Sequence, residues 1–100
     1  MLHGLNDLRV IDFSDNIAGS YATRLLADAG AEVIKIEPAA GDPMRRWTDR
    51  RQRSDSSQND DDSVLFQFLN TSKKSVTGQF GDDHISQLIG CADIVVNTFA

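Results

Sequence analysis

Apolar and polar positions along this chain fall into a strand–helix–strand order, then, past a long polar stretch, into helix, strand, helix and strand. Residues 8–13, Leu8-Arg9-Val10-Ile11-Asp12-Phe13, carry the short apolar run of one strand. Asp15-Asn16 follow as helix-capping side chains, and Ala18-Gly19-Ser20 place small residues where a strand hands over to a helix. Ala22, Leu25, Leu26 and Ala29 then recur at helical spacing and predict a helix over 18–29 with that apolar stripe inward. Gly30 stands where a helix end favours positive φ. Val33-Ile34-Lys35-Ile36 resumes as a strand over 32–37, and Pro38 ends it. This is a βαβ unit, whose two strands must be parallel with a right-handed crossover.

Periodicity vanishes over 39–62, and five arginines (Arg45, Arg46, Arg50, Arg51, Arg53) occupy this stretch. No apolar residue lies between Trp47 and Val64, so the chain about 48–62 is expected to be a mobile loop. Trp47 reads as a packing anchor for it. The pattern then returns as a helix over 63–69 capped by Asp62 or Ser63, and a strand over 75–80 weakened by Gly78. A helix over 82–90 follows, with Ile85, Leu88 and Ile89 inward. A last strand over 92–98 is expected to be buried on both faces, as parallel strands are. The expected fold class is α/β: a Rossmann-like parallel sheet with flanking helices, read as an incomplete part of a larger domain. Ligands of such sheets bind outside the carboxyl ends of the strands. The turn at 14–20 and the segment after Glu37 therefore flank any site.

Composition narrows the function classes. The chain has 100 residues and a net charge of −5, which argues against nucleic acid as a partner. No window reaches the ~20 apolar residues of a membrane span, and no basic-then-apolar leader opens the chain, so a cytoplasmic location is expected. Cys91 has no second cysteine to pair with and is read as a core residue. His3 and His84 lie far apart, and Asp60-Asp61-Asp62 reads as solvated charge, so no metal site is assigned. The turn at 14–20 lacks the three spaced glycines of a dinucleotide fingerprint.

Several segments, in one order, carry a family likeness. They are Asp12-Phe13, Ala18-Gly19, Leu25-Leu26-Ala27-Asp28, Gly30-Ala31-Glu32-Val33-Ile34-Lys35-Ile36-Glu37-Pro38 and Gly41-Asp42-Pro43-Met44-Arg45-Arg46-Trp47, then Leu69-Asn70-Thr71-Ser72-Lys73-Lys74-Ser75-Val76 and Ala92-Asp93-Ile94-Val95-Val96-Asn97-Thr98-Phe99. Together they resemble the amino-terminal region of the family III CoA-transferases, which include formyl-CoA and carnitine CoA-transferases and α-methylacyl-CoA racemase. The resemblance implies a longer enzyme, interlaced with a second subunit as a homodimer, that uses coenzyme A thioesters as substrates and keeps no permanent cofactor. In that family the nucleotide end of coenzyme A lies across the strand ends. An aspartate attacks the acyl thioester to form a mixed anhydride, and no Asp of this chain matches its motif, so no catalytic residue is assigned here.

The binding positions that the resemblance implies are Asn16, Ile17, Ala18, Arg45, Arg46, Lys73, Lys74, Gly78, Thr98 and Phe99. Several have a bland counterpart. Arg46 reads equally as a phosphate ligand, a solvated loop residue or a partner of Asp42. Lys73 and Lys74 read as solvated lysines at a strand start, and Phe99 as core. The chain also departs from the family pattern. Asp15 and Ile17 stand where a His and a Gln often occur, Pro38 where some relatives have Arg, and Gly78-Gln79-Phe80-Gly81 where many have Leu-Asp-Leu-Lys. Three readings stay open: an acyl-CoA transferase, a racemase of the same family, or a non-catalytic nucleotide-binding module.

Overall fold

The computed structural model describes residues 4–46 and 63–98. Four parallel strands, β1 (Arg9–Asp12), β2 (Glu32–Glu37), β3 (Lys74–Thr77) and β4 (Ile94–Val96), form one sheet in the order β3-β2-β1-β4. Helices α1 (Ile17–Asp28), α2 (Val64–Asn70) and α3 (Asp83–Gly90) and a 3₁₀ turn at Pro43–Arg46 complete the described chain. The expected mobile loop at 48–62 and Trp47 lie outside the described residues.

The caps follow from local chemistry. Asn16 Oδ1 accepts from Gly19 N at 2.9 Å and starts α1. Gly30 follows the end of that helix with φ of 110°, which costs a residue without Cβ little. Ser63, rather than Asp62, caps α2, its Oγ accepting from Phe66 N at 3.0 Å. Ser72 takes φ of 73°, a left-handed conformation unusual for a residue with a Cβ, in the turn between α2 and β3.

Strand alternation sorts the sheet into two unlike faces. On one face Ile11, Phe13, Ile34 and Ile36 pack with Ile85 of α3, and Val76, Leu88, Ile89 and Ala92 close around them. On the other, Val10, Ala31 and Val33 pack with Leu26 and Ala27 of α1. That second face changes character along its length: toward the carboxyl ends its inward positions are Asp12, Lys35 and Glu37, all buried. The register sets Asp12 beside Lys35. A third cluster, Met44, Phe66 and Leu69, joins the 3₁₀ turn to α2.

Four expectations are corrected. The inward face of α1 is Gly19, Ser20 and Thr23, while Leu25 is 51% exposed and Ala22 and Ala29 are also exposed. The reason is the charged sheet beneath: a helix facing carboxylates and ammonium groups satisfies them with hydroxyls, which leucine cannot do. β4 is shorter than expected and Ile94 and Val95 are partly exposed, because it is an edge strand with a sheet neighbour on one side only. β3 ends at Thr77 rather than near residue 80. At Gly78 a Cβ would lie 2.6 Å from Ile85 Cγ1, so α3 presses on the backbone there. Cys91 is exposed, since it terminates α3 at its solvent end.

Candidate functional site

The carboxyl ends of β1, β2 and β3 open into a cleft of about 220 Å³. Phe13, Ser14 and Asp15 line one wall, Pro38, Asp42 and Pro43 the other, and Ile36, Gly78 and Gln79 close it. The Phe13 ring stacks on Phe80 with centroids 4.2 Å apart and an interplanar angle of 14°. The lining is therefore mainly apolar, with carboxylates at two points. Among the described residues no lysine or arginine lines it. A cleft of this make-up suits an uncharged ring or chain better than a phosphate.

Beneath the cleft lies a buried ionic network, built, Lys73 apart, from residues that sequence reasoning passed over. Asp12 is its hub. Its Oδ1 accepts from Ser14 N at 2.8 Å and from the Ser14 hydroxyl. Its Oδ2 accepts from Thr23 Oγ1 at 2.7 Å and from Lys73 Nζ at 3.1 Å. Burial alone would push the Asp12 carboxyl up, but Lys35, the Ser14 hydrogen bond, Lys73 and Thr23 together outweigh it and hold it below the usual aspartate value. Lys35 Nζ donates to Ser14 O at 2.8 Å and pairs with Asp42 Oδ2 at 2.7 Å, with Asp12 Oδ2 at 4.0 Å. The Asp42 oxygen makes this ion pair off hydrogen-bond geometry and has no hydrogen-bond partner among the described residues.

A second pair anchors the loop after β2. Arg45 grips Glu37 with both forks at 2.7 Å, and its guanidinium carbon rests 4.1 Å above the Phe66 ring. The Arg45 hydrogen bonds hold the Glu37 carboxyl at about 2; burial opposes them, and Ser75 and the Asp42 amide add to them. A carboxylate held below its unfolded value contributes stability above that value and loses it as pH falls toward the folded one. We therefore expect the urea midpoint of the chain to be flat from neutrality to about pH 5 and to fall between about pH 4.5 and 2. Arg45→Ala should flatten much of that fall. A midpoint that stays constant down to pH 2.5 in the wild type would contradict the pairing.

The structure separates the sequence-implied positions. Asn16, Ile17 and Ala18 form the cap and first turn of α1, next to the Ser14–Asp15 wall. Thr98 reaches the same wall, its hydroxyl 3.3 Å from Asp15 Oδ1. Gly78 lines the cleft itself. Arg45 is committed to Glu37, and Arg46 is exposed and donates to Ala40 O at 3.1 Å. The Asp42 carboxylate meets Lys35. Lys73 is not solvated: its side chain is 1% exposed and its ammonium meets Asp12, Ser20 O and Asn70 Oδ1. Burial pulls its pKa down, against the pull of Asp12. Lys74 is exposed and pairs with Glu32 at 2.6 Å, at the amino ends of the strands and away from the cleft. Phe99 lies outside the described residues. A signal for the missed network was present. The period of two places Lys35 and Glu37 on the same face as Val33, where a covered sheet needs ionic partners.

This geometry can now be set beside known proteins. The model of CoA-transferase family III matches residues 5–100. The chain belongs to that family. It is similar to a succinyl-CoA–D-citramalate CoA-transferase of Chloroflexus aurantiacus, 35% identical over 100 residues, covering 95% of this chain and 23% of that enzyme. It is also similar to a succinyl-CoA:mesaconate CoA-transferase of Haloarcula hispanica, 37% identical over 101 residues, covering 95% and 24% of the two chains. The crystal structure of a CaiB/BaiF family protein from Brucella suis superposes with a TM-score of 0.81 at 26% identity, covering 99% of this chain and 26% of that one. The chain thus spans about a quarter of the length of the relatives it matches and corresponds to the amino-terminal region of the family III CoA-transferases. The α/β fold class stands with it. No described helix is long and apolar enough to cross a membrane.

Proposed function

We propose that this chain is the coenzyme-A-binding amino-terminal part of an acyl-CoA transferase. In the whole enzyme, acyl exchange between a coenzyme A thioester and a carboxylic acid would run through an aspartyl anhydride. Such covalent catalysis divides one difficult exchange into two easier steps. The observation that carries the reading is the position of the cleft, at the carboxyl ends of β1, β2 and β3 beside the start of α1, in a member of this family. Acyl-CoA is the substrate, no cofactor is held permanently, and the setting is a cytoplasmic homodimer.

Each part of this chain has a task in that reading. The apolar cleft takes an uncharged portion of coenzyme A. The first turn of α1, residues 16–18, offers free backbone N–H groups and the positive end of the helix dipole to ligand oxygens. Arg46, exposed on the loop after β2, meets a phosphate from outside the cleft.

Titration with coenzyme A, followed by amide chemical shifts, tests this. Shifts are expected at residues 14–19 and 78–80 and around Asp42, and Arg46→Ala should weaken binding by about 1–3 kcal/mol. Ala18→Asp should weaken it further, by placing a carboxylate where the ligand approaches the backbone. Shifts clustered instead at the amino ends of the strands, near Arg9 and Glu32, would overturn the placement.

A further inference from the structure

We infer that Lys35 is a positioning residue that ties the two walls of the cleft together and so sets its width for coenzyme A; the ligand part of this inference rests on the function proposed above. The walls come from different loops. One is the turn after β1, with Ser14 and Asp15; the other is the loop after β2, with Pro38, Asp42 and Pro43. Each loop is braced within itself. Asp12 holds the Ser14 amide at 2.8 Å. Glu37 holds the Asp42 amide at 2.7 Å, and Asp42 Oδ1 accepts from Met44 N at 2.8 Å to begin the 3₁₀ turn.

Between the loops, the ammonium of Lys35 is the polar link. It rises from β2 on the buried face, 2% exposed, with Ser14 O at 2.8 Å on one side and Asp42 Oδ2 at 2.7 Å on the other. Among the described residues Asp42 Oδ2 has no hydrogen-bond donor, so this charge contact is what holds that oxygen, while Oδ1 is held by the Met44 amide. A compact ammonium on a flexible stem can serve two acceptors from two loops at once. Without it, Asp42 would be a buried carboxylate with no cation in contact and would turn toward water, carrying Pro43 away from Ser14.

Lys35→Met keeps the stem and removes the charge; Asp42→Asn removes the other half of the tie and leaves Lys35 paired to Ser14 O. The experiment uses the full chain at a temperature where circular dichroism shows each variant fully folded. Two readouts are taken: amide hydrogen exchange without ligand, and the dissociation constant for coenzyme A. In Lys35→Met, exchange at Met44 and Arg45 should quicken while the core amides of Val10 and Val33 keep their protection. The dissociation constant should rise about tenfold. Asp42→Asn should give the same pattern more weakly, and the double variant should lose less than the product of the two. Val33→Ala serves as a purely destabilising control and should leave the folded-state affinity unchanged.

The inference is overturned if exchange near Met44 is unaltered in both variants, or if folded Lys35→Met binds coenzyme A within twofold of the wild type. Should the wild type bind no coenzyme A, the proposed function fails on its own. The exchange readout then still decides whether Lys35 joins the loops. If Lys35→Met does not fold, Asp42→Asn carries both readouts.

Discussion

Asp12→Ala should cost the chain about 3–5 kcal/mol of stability, the loss typical of breaking a buried ionic arrangement by removing one partner. Asp12 is fully buried and accepts from the Ser14 amide and hydroxyl, the Thr23 hydroxyl and the Lys73 ammonium. Its removal leaves two buried ammonium groups, those of Lys35 and Lys73, with Asp42 the one carboxylate among the described residues left to balance them nearby. Domains of this size are stable by only about 5–15 kcal/mol, so the variant would stand close to its unfolding threshold. Asp12→Asn retains an acceptor oxygen and should cost less, but it too removes the balancing charge. Urea denaturation followed by circular dichroism measures both. An Asp12→Ala midpoint indistinguishable from wild type would mean that solvent, not Asp12, balances the lysines.

The second large effect is expected at Gly19. Its added Cβ would lie 2.4 Å from Ser14 Cβ and 3.0 Å from Thr98 Cγ2. Gly19 lies within α1, so alanine would gain roughly 1 kcal/mol of helix propensity there. Overpacking of this kind costs about 1–3 kcal/mol or more, and the 2.4 Å approach belongs at the upper end. The steric loss should win by about 2 kcal/mol, contrary to the usual benefit of replacing a helical glycine. Because the clash is with Ser14, the same variant should also disturb the cleft wall. Thermal denaturation of Gly19→Ala beside Gly90→Ala makes the comparison internal, since nothing lies within 4 Å of a Cβ at Gly90. Equal midpoints for the two variants would refute the steric argument.

The parts of the fold that were legible in the sequence are those written in short-range periodicity. The strand–helix–strand unit from Arg9 to Glu37, the Asn16 cap and the Gly30 turn follow from neighbours in the chain. The place of the cleft follows as well, because parallel topology fixes which strand ends face a ligand. What periodicity hid was the partner of each charge. Lys73 was expected in water because a lysine at a strand start usually is. Its burial depends on Asp12, 61 residues away, and on the left-handed Ser72 that precedes it. Arg45 and Arg46 look alike in sequence, yet only Arg45 has Glu37 within reach. The stripe at Ala22, Leu25 and Ala29 misled for a related reason. Amphipathic reasoning assumes that the surface beneath a helix is apolar, and here half of it is ionic.

The edge position of β4 bears on how the chain reaches this structure. β1 and β2 lie close in sequence, and their loop closes at modest entropic cost. β4 must find β1 across more than four fifths of the chain, pairing Val10 with Ile94 and Asp12 with Val96. Loop-closure entropy is lost before those contacts repay it, so the kinetics are expected to divide into an early βαβ nucleus and a late docking of the last strand. Until that docking, the backbone of β1 on the β4 side stands unpaired. For that interval the chain presents an open strand to whatever extended peptide is near, itself included, and that is the moment at which its yield on refolding is decided.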